Sequence, residues 1–586
     1  MSFQRIADKQ SRAEQASLQA LVNGFLREID PGLWLQSEDG PRLQIELRHC
    51  KAVLCLEVLY ASQTGPHEFG GIRVLDPLSG SQRATSAVQA LCLVAQECAA
   101  RLGRDADRKL PEFLRCVFNS NAEITAFMDH AAKDADLRDF LTAEQSVVFG
   151  HWLHPTPKSR DGMSNWQQKT YAPEWQGRFQ LTWFAVDAGL FEEDSATTPV
   201  DQIVTDLLGQ DSAFSLAPNE RLLPLHPLQA EALRLDPEVA SLLDRGVLRD
   251  LGPAGQEFFA TSSVRTLYAP NCPWMVKFSI PVRLTNSLRV TKRSELRVGL
   301  LMARLLARLN FATDVPCFQI LDDPAYANVR IPQRRESGFE TIFRQNPFLQ
   351  GKSNGIVNVA ALTADPAVGA TSLLATEILR LAQAEGQSRS TIARRWFDAY
   401  LDCMLVPLLT LYDRHGIAVE AHQQNALLDL SQGYPGRGFF RDNQGYFVTQ
   451  EALPRLAALQ PELAELDALV FEAEHIHQRF AYYLFVNQIF AVIRRLGRDG
   501  IVPETTTLAQ LAQRLDDLAP HLTGAGAGFI AYLRSSPQLA TKANLLTRFH
   551  DMDELQTAAL EGMFIDMPNP LCRQTITMRE VEDACL

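Results

Sequence analysis

FFATSSVRTLYA (258–269), WMVKFSIPVRL (274–284), CFQIL (317–321), YANVRIP (326–332) and ETIFRQ (340–345) form the most strand-rich part of the chain. Each alternates polar and apolar side chains or is dense in β-branched and aromatic ones, as a strand with one face on a core does. Together they predict a central antiparallel sheet. One helix interrupts it near 294–309, where Val298, Leu301, Leu305 and Leu309 recur at helical spacing. Towards the N-terminus, Leu18, Leu21, Val22, Phe25 and Leu26 mark a helix, LQIEL (43–47) and AVLCLEVLY (52–60) read as strands, and 86–103 is again helical. Residues 150–177, rich in Pro, Gly and Trp, read as a loop, and WQGRFQLTWFAVDA (175–188) as a strand. From about 370 the pattern is chiefly helical: Phe397, Tyr400, Leu401, Met404, Leu405, Leu408 and Tyr412 share one apolar face, which Pro407 should kink or end. No repeat, heptad or low-complexity tract is present. The fold class is α+β, with a mixed N-terminal part, a central antiparallel sheet and a largely helical C-terminal part.

At 586 residues the chain has room for two to four domains. Hydrophobic content of 46% with 21% charged residues is that of a globular protein rather than a disordered one. The net charge of −13 speaks against a nucleic-acid binder, yet leaves room for a local cationic pocket. Ten cysteines form no CxxC pair, and Cys55 and Cys403 sit inside apolar runs, so reduced, buried thiols and a cytoplasmic location are expected. MSFQRIADKQSRAEQ is too charged for a signal peptide, and no apolar run reaches the length of a membrane span.

Two segments about 160 residues apart carry chemistry suited to polyanions. The first, 261–289, sets Ser263, Arg265, Thr266, Lys277 and Arg289 among strand-forming residues, with Thr285 and Asn286 beside Arg289. Hydroxyls and fixed cations suit phosphate and carboxylate oxygens, but a polar strand edge has the same composition. On a strand, Ser263 and Arg265 share one face and Thr266 takes the other, unless a turn re-aims them. The second, EAHQQN (420–425) followed by FFRD (439–442), gathers Glu420, His422, Asn425 and Asp442. Its acidic and amide groups suit a hard divalent metal, and His422 could orient a carboxylate or act as acid or base. The alternative is a hairpin between GIAV and ALLDL with an exposed polar turn. GHWLHPTPKSRDG (150–162) adds His151, His154, Lys158 and Arg160 on a proline-broken loop, either a carboxylate-recognition surface or a solvated basic loop. A P-loop is missing, since position 346 is Asn before the GKS at 351–353, and there is no GxSxG or HExxH.

In order along the chain, GHWLHPTPKSRDG, LLPLHPLQ (222–229), TSSVRTLY, KFSIPVRLTNSLR, IFRQN (342–346), EAHQQN, FFRD and TKANLLTRF (541–549) resemble the IucA/IucC family of NRPS-independent siderophore synthetases over nearly the whole length. The runs RDLG, TSSVRTLY, AHQQN and YYLFVNQIFAV look most like the aerobactin-type, citrate-activating subgroup. Departures are Trp152 for a usual proline, Leu228 for a tryptophan and Gln345 for a glutamate. The resemblance implies a cupped hand: a thumb over 1–160, fingers over 161–385 and a palm over 386–586. It also implies adenylation of a carboxylate such as citrate by ATP, then attack by an amine, hydroxylamine or alcohol. By that analogy Ser263, Arg265, Thr266 and Lys277 contact the phosphates, and Glu420, Asn425 and Asp442 serve nucleotide and Mg2+. His154, Lys158, Thr285, Asn286, Arg289 and His422 hold the acid; His422, Arg289, Lys277 and Arg265 carry the catalytic burden. Homodimers are the family expectation. The other readings are a late-acting member that activates a citrate monoamide or succinylated monomer, and a non-catalytic citrate or siderophore carrier.

Overall fold

The computed structural model describes residues 3–38, 40–131, 136–209, 214–367, 371–442, 444–552 and 564–573. The N-terminal part is a five-stranded antiparallel sheet (33–84) packed by the helices Phe3–Glu28, Ala87–Leu102 and Arg104–His130. Leu18, Leu21, Val22 and Phe25 form its buried helical stripe, as their spacing predicts. Leu545 and Phe549, from near the other end of the chain, complete this core, and Phe549 stacks on Phe113 at 4.0 Å.

The centre is an eight-stranded sheet in which every neighbouring pair is antiparallel. Its middle strands are Leu248–Ala260, Thr266–Tyr268, Trp274–Phe278 and Thr341–Gln345. Two expectations change here. The run 258–269 is not one strand but a hairpin, with Ala260 opposite Leu267 and Phe259 opposite Tyr268. The turn is closed by Thr261, whose backbone N–H and hydroxyl both donate to the Thr266 carbonyl at 3.0 and 2.8 Å. Val264, buried in it, takes φ +66°, a left-handed conformation that a β-branched side chain strongly disfavours. Alternation could not reveal this, because both arms of the hairpin are strand-like. Likewise Phe318–Leu321 leaves the large sheet: it pairs in parallel with Arg437–Arg441, in a second sheet with Ala426–Asp429 and Ile356–Asn358.

The C-terminal part is chiefly helical around one large core. Pro407 neither ends nor simply kinks its helix. The α-helix Arg389–Tyr400 passes through a π-helical stretch, Leu401–Leu405, and resumes as Val406–His415. The change of register absorbs the N–H that proline lacks. A second π-helical stretch, Ala481–Ile489, is buried throughout. No helix among the described residues is long and apolar enough to cross a membrane.

Gly438, in the strand Arg437–Arg441, lies so close to the first π-helical stretch that a Cβ would stand 2.2 Å from the Cys403 carbonyl oxygen. Backbone cannot yield as a side-chain tip can. Gly438→Ala should lower stability by about 1–3 kcal/mol, the usual range for overpacking, measured as a fall in the urea midpoint.

Candidate active site

The polar run EAHQQN is not a hairpin turn. Ile417–Val419 belongs to a three-stranded sheet with Tyr446–Thr449, while Ala426–Asp429 belongs to the sheet containing Arg437–Arg441. Residues 420–425 therefore cross from one sheet to the other, and Asp442, Gln444 and Gly445 lie on the return beside them. The crossings are tied by Glu420 N–H to the Gly445 carbonyl at 2.8 Å and Arg441 N–H to the Asn425 carbonyl at 3.0 Å. Gly445 permits this approach, since a Cβ there would stand 2.7 Å from that of Glu420. Where the sheets part, polar side chains can face a cavity without breaking either ladder.

That cavity is about 380 Å³, the size of a small-molecule site. His422, Asp442 and Gln444 come to it from the two crossings, Ser263 from the hairpin turn, and Thr285 and Arg289 from the segment after Lys277. Thr285 and Asn286 form the two-residue loop between Arg283–Leu284 and Ser287–Leu288, and Thr285 takes φ +55°. The short strand Arg160–Asp161 pairs with Arg283–Leu284, which brings His151, His154 and Lys158 to the same wall. The two sequence segments and the proline-broken loop thus converge on one space.

The centre of charge is Lys277, 4% exposed, whose Nζ lies 2.8 Å from Asp442 Oδ1. Burial, with Arg265 and Arg344 nearby, pushes the lysine down to about 8. Although burial opposes it, the cations Lys277, Arg344 and Arg265 hold the Asp442 carboxyl far below the usual carboxylate range. Asn425 Nδ2 donates to Asp442 Oδ2 at 3.3 Å and lies 3.2 Å from His422 Nε2. Burial lowers His422 to about 3, with His151, Lys542 and Arg289 adding to the shift, so the imidazole is neutral at physiological pH. Arg265 donates to Gln444 Oε1 at 3.0 Å and to Thr291 Oγ1 at 3.3 Å. Asp442 and Asn425 put a carboxylate and an amide side by side, and their oxygens are of the hard kind that suits magnesium.

Other expected residues stand differently. Arg265, Thr266, Lys277, Asn286 and Asn425 lie behind the cavity surface rather than on it. The Ser263 hydroxyl accepts from the Thr266 N–H at 3.1 Å, closing the turn, and Asn286 donates to the Asn544 carbonyl at 3.4 Å. Lys158 is buried and its charge is matched inside the protein by Glu174, which Arg160 also binds at 2.7 Å. Glu420 lines the cavity, but its carboxylate is hydrogen-bonded to Tyr483 and interacts with Arg479.

Several residues escaped the sequence reading. Glu144, 1% exposed, receives Arg441 Nη2 at 2.7 and 2.9 Å, the Ser262 N–H and hydroxyl at 2.9 and 2.8 Å, and Asn358 Nδ2 at 2.6 Å. One carboxylate thereby joins the hairpin turn to the FFRD strand, and nothing in its surroundings (LTAEQS) marks it. Asn487 Nδ2 meets His151 Nε2 at 2.9 Å from the second π-helical stretch. A polar pair inside the apolar run YYLFVNQIFAV was a usable signal for it. Lys542 lies over the Tyr483 ring at 5.3 Å.

Residues 139–364 match the model described as IucA / IucC family, and residues 394–557 match that of the ferric iron reductase FhuF-like transporter. A spermidine–citrate ligase of Bacillus anthracis is 34% identical, across 96% of this chain and 98% of the relative. The chain belongs to the IucA/IucC family. Identity with the N(2)-citryl-N(6)-acetyl-N(6)-hydroxylysine synthase of Escherichia coli is 29%, over 97% of this chain and 100% of the relative. Among solved structures, the ATP-bound aerobactin synthetase IucA from a hypervirulent pathotype of Klebsiella pneumoniae superposes with a TM-score of 0.87 at 27% identity. That match covers 96% of this chain and 100% of the other. In this IucA/IucC-family chain, mixed α+β architecture with antiparallel sheets is therefore common to the relative and the sequence expectation.

Removing one partner of a buried, multiply bonded ion pair strands the other charge. Glu144→Ala should lower the free energy of unfolding by about 3–5 kcal/mol, measured by urea denaturation.

Proposed function

We propose that this chain is an ATP-dependent ligase that activates a carboxylate of citrate as an acyl-adenylate and condenses it with an amine, releasing pyrophosphate and AMP. The observation that carries the reading is one cavity with cations set in and behind its wall. Lys277, Arg344 and Arg265 act on Asp442 from behind the cavity surface, and Lys542 and Arg289, which line it, act on His422. ATP and citrate are both polyanions, and a site of this charge suits them. The citrate ligases and the ATP-bound synthetase among its relatives support the same assignment.

In this reading Arg265 and Lys277, with Ser263 and Thr266, meet the phosphates of ATP. The Lys277 ammonium passes from Asp442 to the nucleotide. Asp442 and Asn425 are the residues that would hold a magnesium ion, which when bound offsets charge on the phosphates. Arg289, Thr285, Asn286, His154 and His422 orient the acid; the neutral His422 can hydrogen-bond a carboxyl without adding a competing charge. Lys158, matched by Glu174, shapes the wall instead. Glu420 positions Tyr483.

A citrate carboxylate oxygen attacks the α-phosphorus, and the bond to the departing pyrophosphate breaks as negative charge builds on it. Arg265 and Lys277 stabilise that charge. The amine nitrogen then attacks the activated carbonyl carbon, loses a proton, and AMP leaves. No protein nucleophile is required, so positioning and electrostatics supply the rate.

Purified enzyme given ATP, citrate and a panel of amines should release pyrophosphate in a citrate-dependent manner and give an amide detectable by mass spectrometry. Lys277→Ala should slow this by about 10²–10³-fold, as loss of a charge-stabilising donor does. Phosphate released without pyrophosphate, or undiminished turnover in the variant, would overturn the assignment.

A further inference from the structure

Most buried cations around the cavity rest on a carboxylate that the chain itself supplies: Lys158 and Arg160 on Glu174, Arg344 on Asp323, Arg441 on Glu144 and Lys277 on Asp442. Arg265 differs. It is buried, and its hydrogen bonds run to neutral oxygens: the Arg289 carbonyl at 3.4 Å, Thr291 Oγ1 at 3.3 Å and Gln444 Oε1 at 3.0 Å. Among the described residues no carboxylate pairs with it directly. A buried guanidinium without a counter-ion is costly to keep charged. Burial does lower its pKa, and Glu295, ahead of Asp442, is the first carboxylate to oppose that shift.

Glu295 stands one group away from the guanidinium, and that group is Gln444. The Gln444 amide oxygen accepts from Arg265, while its Nε2 donates to Glu295 Oε2. The order cannot be reversed, because a guanidinium only donates and a carboxylate only accepts. Both ends of the relay are anchored. Glu295 Oε2 also accepts the Lys292 N–H at 2.9 Å, in the capping box that opens the helix Arg293–Leu309. The Gln444 N–H donates to Asp442 Oδ1 at 3.3 Å, on the return between the two smaller sheets. Gln444 lines the cavity and Arg265 lies behind that lining. A phosphate reaching for Arg265 therefore competes with a neutral amide oxygen, which a guanidinium gives up more readily than a carboxylate.

We infer that Gln444 is a positioning residue for the nucleotide step: it holds Arg265 in place while keeping Glu295 off it, so that one phosphate cation stays uncommitted until ATP binds. Lys277 already carries Asp442. A carboxylate on Arg265 as well would leave both phosphate cations paired within the protein. The relay bears on the nucleotide, so its disruption acts on ATP rather than on citrate. The inference rests on the reading of Arg265 as a phosphate contact and adds the residue that keeps it available.

The test is the steady-state kinetics of citrate-dependent pyrophosphate release, with hydroxylamine as the amine. Gln444→Glu replaces the amide by a carboxylate against Arg265. The double variant Gln444→Glu, Glu295→Gln exchanges the two groups, keeps the wild-type net charge and retains a donor and an acceptor at each contact. Its urea midpoint should equal that of the wild type. In the double variant kcat/KM for ATP should fall roughly 10–100-fold, the scale of one hydrogen bond to a charged group, chiefly through a raised KM for ATP. The KM for citrate should stay within about threefold of the wild-type value, the usual spread in the effect of one interaction that citrate does not make. A double variant that matches the wild type in kcat/KM for ATP, or that raises the KM for citrate as much as that for ATP, would overturn the inference. Arg265→Ala with unchanged ATP kinetics would instead overturn the phosphate-contact reading beneath it. Wild-type enzyme that releases no citrate-dependent pyrophosphate would overturn the ligase reading itself.

Discussion

The site depends on one buried ion pair, Lys277 with Asp442. Lys277 belongs to the large antiparallel sheet and Asp442 to the crossing between the two smaller sheets, so the pair ties the two halves of the cavity together. Burial works against both charged forms. The pair persists because further charges surround it: Arg265 and Arg344 act on both members, and Asp323 takes Arg344 in a bidentate pair at 2.6 and 2.8 Å. A buried pair contributes little net stability by itself, but it fixes which groups can meet. Here it fixes a buried lysine against the crossing and sets a carboxylate beside an amide.

The same economy of charge runs through the wall of the cavity. Glu174 matches Lys158 and Arg160, and Glu144 matches Arg441. These cations are structural: each is buried against a carboxylate that the protein itself provides. Arg289 and Lys542 reach the cavity near a histidine that burial keeps neutral. The partner that matches a buried charge is often distant in sequence: Glu144 and Arg441 are 297 residues apart.

Elements with a local period were legible. The buried stripe Leu18, Leu21, Val22, Phe25 follows from helical spacing, and the strand Trp274–Phe278 from its β-rich composition. The Thr261–Arg265 turn was not legible, because strand propensity continues through it and only Val264's left-handed backbone re-aims the side chains. EAHQQN announced itself as polar between two apolar runs, but whether that meant a hairpin or a crossing depended on the later strands Arg437–Arg441 and Tyr446–Thr449. Lys158 shows the converse. Its basic loop looked available, and only its burial against Glu174 made it part of the wall.

By itself the sequence determined the α+β class, the helical and strand segments with clear period, and the residue types able to hold polyanions. It also carried the ordered motifs of the IucA/IucC family. The tertiary structure alone decided which sheet each strand joins, which carboxylates meet the buried Lys158, Arg160 and Arg441, and that three separated segments border one cavity. The physical reason is range. Periodicity and turn chemistry act over a few residues, whereas charge pairing and sheet register are settled by whatever the folded chain brings within a few ångströms.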